Sequence, residues 1–441
     1  MLKEHFIISG LAGKKKLSGK ISVSGAKNSA LKAMAASILF RDEVRICNVP
    51  LIEDVARIAD LLQELGAKVK RGGDTCNISP ENISSTDLAS EISKRLRASI
   101  VLSGPLLARM GRVSFPHPGG CVIGERPIDI FLEGFEKMGA KVSVENDGKR
   151  MRYVVTAPGK KLRGAEIFCR LQSVTVTETF MMAGVLAEGE TVIKNAALEP
   201  EIFALAEFLN ICGANIKGAG TSTIRIKGGD LLSARGKKFV TPPDRIEAGS
   251  FLILAALAGK DVEIINCEPA HLESLIELLH YSGADFSVGK NSIRVRESKA
   301  AKSAKKNTRR SVNVRTHEYP GFPTDLQAPM VVYLTQVKGE SLVFETIFEG
   351  RLNYTESLNR MGADIVMMDP HRVIVKGPTT LLGKELESPD LRAGLAFIIA
   401  AIVAKDESVI HNVYNIDRGY ENIEGRLRKL GVSIERVSSL D

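Results

Sequence analysis

The segment LLQELGAKVKR, residues 61–71, changes its hydrophobic period at Gly66. Before the glycine, Leu61, Leu62 and Leu65 make the apolar side of a helix. After it, Ala67 and Val69 alternate with Lys68 and Lys70, as in a half-buried strand. Glycine suits the junction because the chain enters the left-handed region to stop a helix, and a residue without a Cβ does so at little cost. The passage recurs as FEKMGAKVSV (135–144), LNICGANIKG (209–218), LLHYSGADFSV (278–288), LNRMGADIVM (358–367) and LRKLGVSIER (427–436). The glycines are Gly66, Gly139, Gly213, Gly283, Gly362 and Gly431, at intervals of 73, 74, 70, 79 and 69 residues.

A second piece precedes most of these passages: an apolar helix, a polar turn and a strand. Examples are AGVLAEGETVIKNA (183–196), LAALAGKDVEIINCEP (254–269) and AAIVAKDESVIHNVY (400–414). Each repeat therefore holds two helices and several strands, and the period is too long for a stacked solenoid. Six units divide as three plus three, which predicts an α/β protein of two similar domains. The expected seams lie near residue 27, after the strand GKISVSG, and near residue 240, where KKFVTPPDRIEAGSF carries Pro242 and Pro243. Residues 28–240 then form one domain, and residues 1–27 plus 241–441 a discontinuous second. The cleft between two such domains is the expected place for an active site.

The composition agrees. A chain of 441 residues is too long for one ordinary core, and 44% hydrophobic with 25% charged residues is soluble, globular usage. The net charge is +8, but Lys299, Lys302, Lys305, Lys306, Arg309 and Arg310 of SKAAKSAKKNTRRS (298–311) supply most of that surplus. A block of like charge reads as a solvated insertion. No zinc-finger, base-stacking or basic-zipper pattern accompanies it, so no nucleic-acid partner is expected. The longest apolar run, LAFIIAAIVA (395–404), reads as a buried core helix, since a membrane span needs about 20 residues. The first residues show no apolar stretch of secretory length, so a cytoplasmic protein with reduced thiols is expected. Five of the cysteines (Cys47, Cys76, Cys169, Cys212 and Cys267) sit in contexts that suggest structural sites. Cys121 alone lies in a loop of glycines and prolines, PHPGGCVIGERP (116–127).

Several side chains are candidates for chemistry. Gly119 and Gly120 let the Cys121 thiol be presented, and Arg126 would favour its thiolate if the two came close. The residues alone equally allow a loop cysteine with no role. Lys27, in ISVSGAKNSAL (21–31), stands at a helix start, where backbone amides also favour an anion. The alternative is a surface lysine beside an N-cap Asn28. Arg97, in KRLRASIVLSGPLLARMG (94–111), stands at the mouth of a buried helix as an ion-pair partner or an anion ligand. The segments GFPTDLQAP, FEGRLNY, SPDLRAG and NIDRGYENIEGRL supply Asp325, Arg351, Arg392 and Arg418, the arginines placed just after a strand or at a helix start. Lys27, Arg97, Arg126, Arg351, Arg392 and Arg418 converging on one place would bind a small, highly anionic substrate. No Walker loop, GxSxG or His/Cys ligand cluster is present, so neither a metal nor a cofactor is expected.

Taken together and in order, SGAKNSAL, RASI with GPLLAR, PGGCVIGERPID, EPEI, PDRIEAGSF, FPTDLQA, DLRAG and IDRGYE span nearly the whole chain. The set resembles the enolpyruvyl transferases, most closely those that act on UDP-N-acetylglucosamine. The resemblance implies two inside-out α/β barrels, each of three βαβαββ-like units. It also implies a reaction: phosphoenolpyruvate gives its enolpyruvyl group to the 3-hydroxyl of UDP-N-acetylglucosamine and phosphate is released, the first committed step of peptidoglycan synthesis. By resemblance, Cys121 protonates the methylene carbon and can add covalently to phosphoenolpyruvate, and Asp325 takes the proton of the attacking hydroxyl. Lys27, Arg126 and Arg418 hold the phosphate, Arg351 and Arg392 complete the anion site, and Asn28 partners the lysine. Arg97, Arg126, Pro127, Ile128, Asp129, Ile130, Ser173, Val174, Asp325 and Ile347 match positions that bind the UDP-sugar.

The chain departs from the family pattern on the nucleotide side. SVTVTET (173–179) puts Thr175 where a glycine is usual, and Leu171, beside Arg170, takes the place of a lysine. FEGRLNY stands for FENRF, and FPHPGGC introduces His117, which either tunes the thiol or faces water. Two other readings are a relative with another acceptor, such as shikimate 3-phosphate, and a non-catalytic nucleotide-sugar-binding paralogue. The cysteine loop speaks against the first, and the intact Cys121, Asp325 and arginine set against the second.

Overall fold

A computed structural model of the chain describes residues 3–94, 96–119, 124, 127–146, 151–296 and 309–439. All six repeat glycines lie in the left-handed region, with φ from +85° at Gly139 to +112° at Gly213. Each follows an amphipathic helix: Glu53–Glu64, Asp129–Lys137, Pro200–Ile211, Glu273–Ser282, Thr355–Arg360 and Ile423–Arg428. At Gly66 the position is also crowded, since an added Cβ would lie 2.4 Å from Asn82 O.

Among the described residues there are six sheets, one per repeat. Five of them share one order: an edge strand, a parallel neighbour, then two antiparallel strands. The sixth, Arg112–Pro116 with Met151–Thr156 and Lys141–Asn146, has three strands. A lone parallel bridge from Asp87 to Ser114 stands where the others have their edge strand.

The first helix of each repeat is the buried one. These helices are Lys27–Ala36, Ser103–Met110, Val174–Val185, Arg245–Ala258, Gln327–Leu334 and Leu391–Val403. Every residue of Leu391–Val403 and of Gln327–Leu334 is buried, and so is every residue from Ile246 to Ala258. Helices apolar all round are stable only when enclosed, and the sheets supply the enclosure. Helices inside and sheets outside is the α/β architecture that the repeat and the resemblance imply.

The chain divides into two compact units. Among the described residues, one holds 3–24, 124, 243–296 and 309–439, the other 25–94, 96–119, 127–146 and 151–242. In the first, the N-terminal strand Lys3–Ser9 lies between Glu407–His411 and Ser433–Ser439 and completes the last repeat's sheet. Strand Leu17–Ser22 pairs in parallel with Gly259–Ile265. Buried Glu247 fixes the end of that passage: it accepts from Ser24 N–H at 2.8 Å and pairs with Arg426 Nη1 at 2.6 Å. In the second unit, Lys238–Val240 pairs in parallel with Val44–Cys47. Residues 298–308 of the lysine-rich insertion lie outside the described residues. Its last two charges are not simply solvated: Arg309 donates to Ala256 O at 2.7 Å and Arg310 to Tyr281 O at 3.0 Å.

Candidate active site

In the first unit, a single helical turn, Thr324–Leu326, presents Asp325 just ahead of helix Gln327–Leu334. The loop after strand Gly339–Phe344 carries Arg351, and helix Leu391–Val403 carries Arg392 in its first turn. Arg351 Nη2 donates to Asp325 Oδ1 at 2.7 Å, and Arg392 Nη2 to Asp325 Oδ2 at 3.0 Å. Asp390 caps the helix, accepting from the backbone N–H of Arg392 at 2.7 Å and of Ala393 at 3.2 Å. The other terminal nitrogens are used too: Arg392 Nη1 meets the Tyr420 hydroxyl at 2.8 Å and Arg351 Nη1 meets Thr324 Oγ1 at 2.6 Å. Both arginine side chains are 6% exposed, whereas the Asp325 side chain is 25% exposed.

Burial by itself would raise the Asp325 carboxyl. The guanidinium charges of Arg392 and Arg351, with Arg245 beyond them, outweigh it and hold the group far below the usual carboxylate range. Burial likewise pushes the Tyr420 hydroxyl up to about 12, against the pull of Arg392. Tyr420 is therefore a neutral phenol that accepts from Arg392. Arg418, expected just after a strand or at a helix start, instead closes the short helix Val413–Asp417, buried two residues before Tyr420. Ile347 is half-buried, with its N–H bound to Glu345 Oε1 at 2.9 Å.

In the second unit, Lys27 opens helix Lys27–Ala36. It is not a surface lysine: Nζ lies 2.6 Å from Asp54 Oδ2, and both side chains are below 10% exposed. Asn28 does not cap the helix, because Ala26 holds that place without a side-chain bond. Arg97 donates to Pro118 O at 3.2 Å and so reaches the start of the cysteine loop. Ser173 caps Val174–Val185, accepting from Val176 N–H at 3.4 Å. Asp129 opens its helix and accepts from Arg170 at 2.8 Å, while Glu133 accepts from the same nitrogen at 2.9 Å. Pro127 is exposed, Ile128 buried and Ile130 half-buried. Leu171, at the position where the family has a lysine, is 74% exposed.

Cys121 and Arg126 lie outside the described residues. His117 is exposed, its ring 6.4 Å from that of Tyr153. Among the other cysteines, Cys47 is half-buried, and burial pushes the thiols of Cys76, Cys169, Cys212 and Cys267 up to about 11.

The structure thus gathers Asp325, Arg351 and Arg392 in one cluster and pairs Lys27 with a carboxylate. Asp54, Thr324, Tyr420 and Glu345 were not singled out by the sequence reading. Tyr420 had a signal, its place in IDRGYE; Asp54 had none, being one acid in an amphipathic helix. A buried pair, Lys32 with Glu178 at 3.1 Å, was also unforeseen. Burial, opposed by Lys32 and reinforced by Glu201 and Glu199, brings Glu178 up to about 7. Among the described residues, no helix is long and apolar enough to cross a membrane.

Residues 11–427 match the family model described as EPSP synthase (3-phosphoshikimate 1-carboxyvinyltransferase). The UDP-N-acetylglucosamine 1-carboxyvinyltransferase of Acidobacterium capsulatum is 44% identical, with 98% of this chain and 96% of its own length covered. That of Desulforapulum autotrophicum is 41% identical, with coverage of 97% and 99%. Among solved structures, the enolpyruvyl transferase NikO from Streptomyces tendae superposes with a TM-score of 0.85 at 22% identity, over 100% of both chains. EPSP synthase from Acinetobacter baumannii gives 0.71 at 19% identity, over 99% of this chain and 100% of its own. These last two likenesses are of fold.

Proposed function

This chain belongs to the enolpyruvyl transferase family, and we propose that it transfers the enolpyruvyl group of phosphoenolpyruvate to the 3-hydroxyl of UDP-N-acetylglucosamine, releasing phosphate. In a cell this is the entry step of peptidoglycan synthesis. The observation that carries the reading is a solvent-reached carboxylate, Asp325, bracketed by two buried arginines in a chain this similar to UDP-N-acetylglucosamine 1-carboxyvinyltransferases. A buried cation pair is costly unless something anionic faces it. Asp325 supplies that charge now, and the carboxylate and phosphate of phosphoenolpyruvate supply it during the reaction.

The chemistry follows from that exchange. The acceptor oxygen adds to C2 of phosphoenolpyruvate while C3 gains a proton, giving a tetrahedral adduct. Loss of phosphate from C2 and of a proton from C3 restores the double bond. Addition needs a base at the hydroxyl and an acid at C3. Asp325 is the base and Cys121 the acid, in this reading. With both oxygens held by arginines, Asp325 is too weak a base to act. When the substrate's anionic groups take over Arg351 and Arg392, its proton affinity returns toward the ordinary range, so binding arms the base. Lys27, Arg126 and Arg418 hold phosphate charge as it develops. Arg97, Arg126 to Ile130, Ser173, Val174 and Ile347 receive the UDP-sugar.

The test is phosphate release from phosphoenolpyruvate. It should require UDP-N-acetylglucosamine; release only with shikimate 3-phosphate would move the acceptor, and none with either would sink the enzymatic reading.

A further inference from the structure

The residue that follows the second strand of each sheet is asparagine in four of the six repeats: Asn48, Asn195, Asn266 and Asn412. All four have left-handed backbones, with φ between +54° and +56°. Three of them show a shared task. Asn48 donates to Thr241 O, Asn195 to Cys169 O and Asn266 to Ser22 Oγ, each at 2.8 Å, and each partner stands at or just past the end of the parallel edge strand. The asparagine is thus the ordinary fastening of this turn.

In the fifth repeat the position is Glu345, which is fully buried and outside the positive-φ set. The fastening to the edge strand survives with its polarity reversed, because a carboxylate only accepts: Thr316 Oγ1 donates to Oε1 at 3.1 Å. The extra acceptor capacity is turned elsewhere. Oε1 also receives the N–H groups of Ile347 at 2.9 Å and Phe348 at 3.2 Å. Oε2 receives the hydroxyl of Thr324 at 2.8 Å. That hydroxyl, its proton committed to Glu345, has only lone pairs left for Arg351 Nη1 at 2.6 Å. The same guanidinium's Nη2 then meets Asp325.

From this chain of bonds we propose that Glu345 is a positioning residue for the reaction. It fixes the direction of the Thr324 hydroxyl, aims Arg351, and ties the turn of Asp325 to the loop of Ile347 and Arg351. The assignment rests on the reading of Asp325 and Arg351 as reaction residues. An asparagine serves the structural need in the sibling repeats; a glutamate stands where the loop must also hold an arginine in one pose.

The experiment compares phosphate release by wild type, Glu345→Gln, Thr324→Val and Thr324→Ser, per folded molecule. Release by wild type with UDP-N-acetylglucosamine first establishes the underlying reading, so its failure is seen separately. Glutamine can donate to Thr324 and turn its proton toward Arg351. Glu345→Gln should then lower kcat and raise the KM for phosphoenolpyruvate, with a combined loss of about tenfold to a hundredfold in kcat/KM. Thr324→Val should match it, the double variant should be no worse than either, and Thr324→Ser should restore activity. Wild-type kcat and KM in Glu345→Gln, with only its melting temperature lowered, would overturn the proposal. So would additive losses in the double variant. If Glu345→Gln does not fold, wild-type kinetics in Thr324→Val overturns it.

Discussion

Asp325 faces two buried arginines and still meets solvent over a quarter of its side chain. Such a group should bind less and react more as its partners are drawn away. Asp325→Asn should therefore lower kcat by about 10²- to 10⁴-fold, the usual worth of a positioned base. It should leave the KM for phosphoenolpyruvate unchanged or lower, because both arginines lose a competing anion. A raised KM with near-normal kcat would show that Asp325 binds and does not act as the base. The pH dependence has a definite sign. The carboxyl is held below its ordinary 3.8, so its ionised form stabilises the fold above that value and the contribution is lost as pH falls. The acid limb of kcat, set by the substrate complex, should lie at higher pH than the acid limb of kcat/KM, set by the free protein. The thiols divide in the same chemical terms. At pH 8, Cys76, Cys169, Cys212 and Cys267, with values near 11, hold little thiolate. A phosphonate epoxide should label Cys121 in the native protein, as read by peptide mass, and leave those four untouched until unfolding. Native labelling of a buried one would deny Cys121 its special reactivity. Asp325, Arg351 and Arg392 could be named from sequence; that they hold one another, with Thr324 and Glu345 behind Arg351, depends on a helical turn, a loop and a helix start that the fold brings together.

At the scale of elements, the repeat was legible because one backbone requirement recurs six times. A helix that must stop and turn into a strand needs a left-handed residue, and glycine marks it each time. Of the parallel edge strands only Leu17–Ser22 was legible, in GKISVSG. Lys238–Val240 and Glu166–Phe168 are three residues long, too short to show a period, and Lys238–Val240 pairs with Val44–Cys47, nearly 200 residues earlier in the chain. The requirement at the glycines can be separated from crowding. At Gly431 an added Cβ meets nothing within 4 Å, so Gly431→Ala should cost only the left-handed strain, about 1–2 kcal/mol. At Gly66 the same methyl would lie 2.4 Å from Asn82 O, and the carbonyl must move as well. Gly66→Ala should therefore be the more destabilised variant in urea unfolding. Equal losses at the two sites would mean that the backbone conformation alone sets the cost.

At the scale of the molecule, the chain closes on itself by sending its first strand to its last sheet. Each compact unit has its own hydrophobic cluster, one running from Phe6 to Ile434 and the other from Ala30 to Phe239. Phe6 is the test of that arrangement. It is fully buried, lies on the strand between Glu407–His411 and Ser433–Ser439, and has Arg436 4.9 Å from its ring centre. Arg436 in turn binds Glu4, Asp417 and Glu424, so the same ring sits beneath an ion network that joins both ends of the chain. Removing it should leave a cavity worth about 3–5 kcal/mol. The loss should be local: in hydrogen exchange, Phe6→Ala should weaken protection in 3–9, 407–411 and 433–439, and leave the buried helices Ser103–Met110 and Val174–Val185 as slow as before. Those two helices belong to a core that Phe6 does not enter. Protection falling equally in both units would mean that they unfold as a single cooperative body, and that the N-terminal strand closes more than its own half.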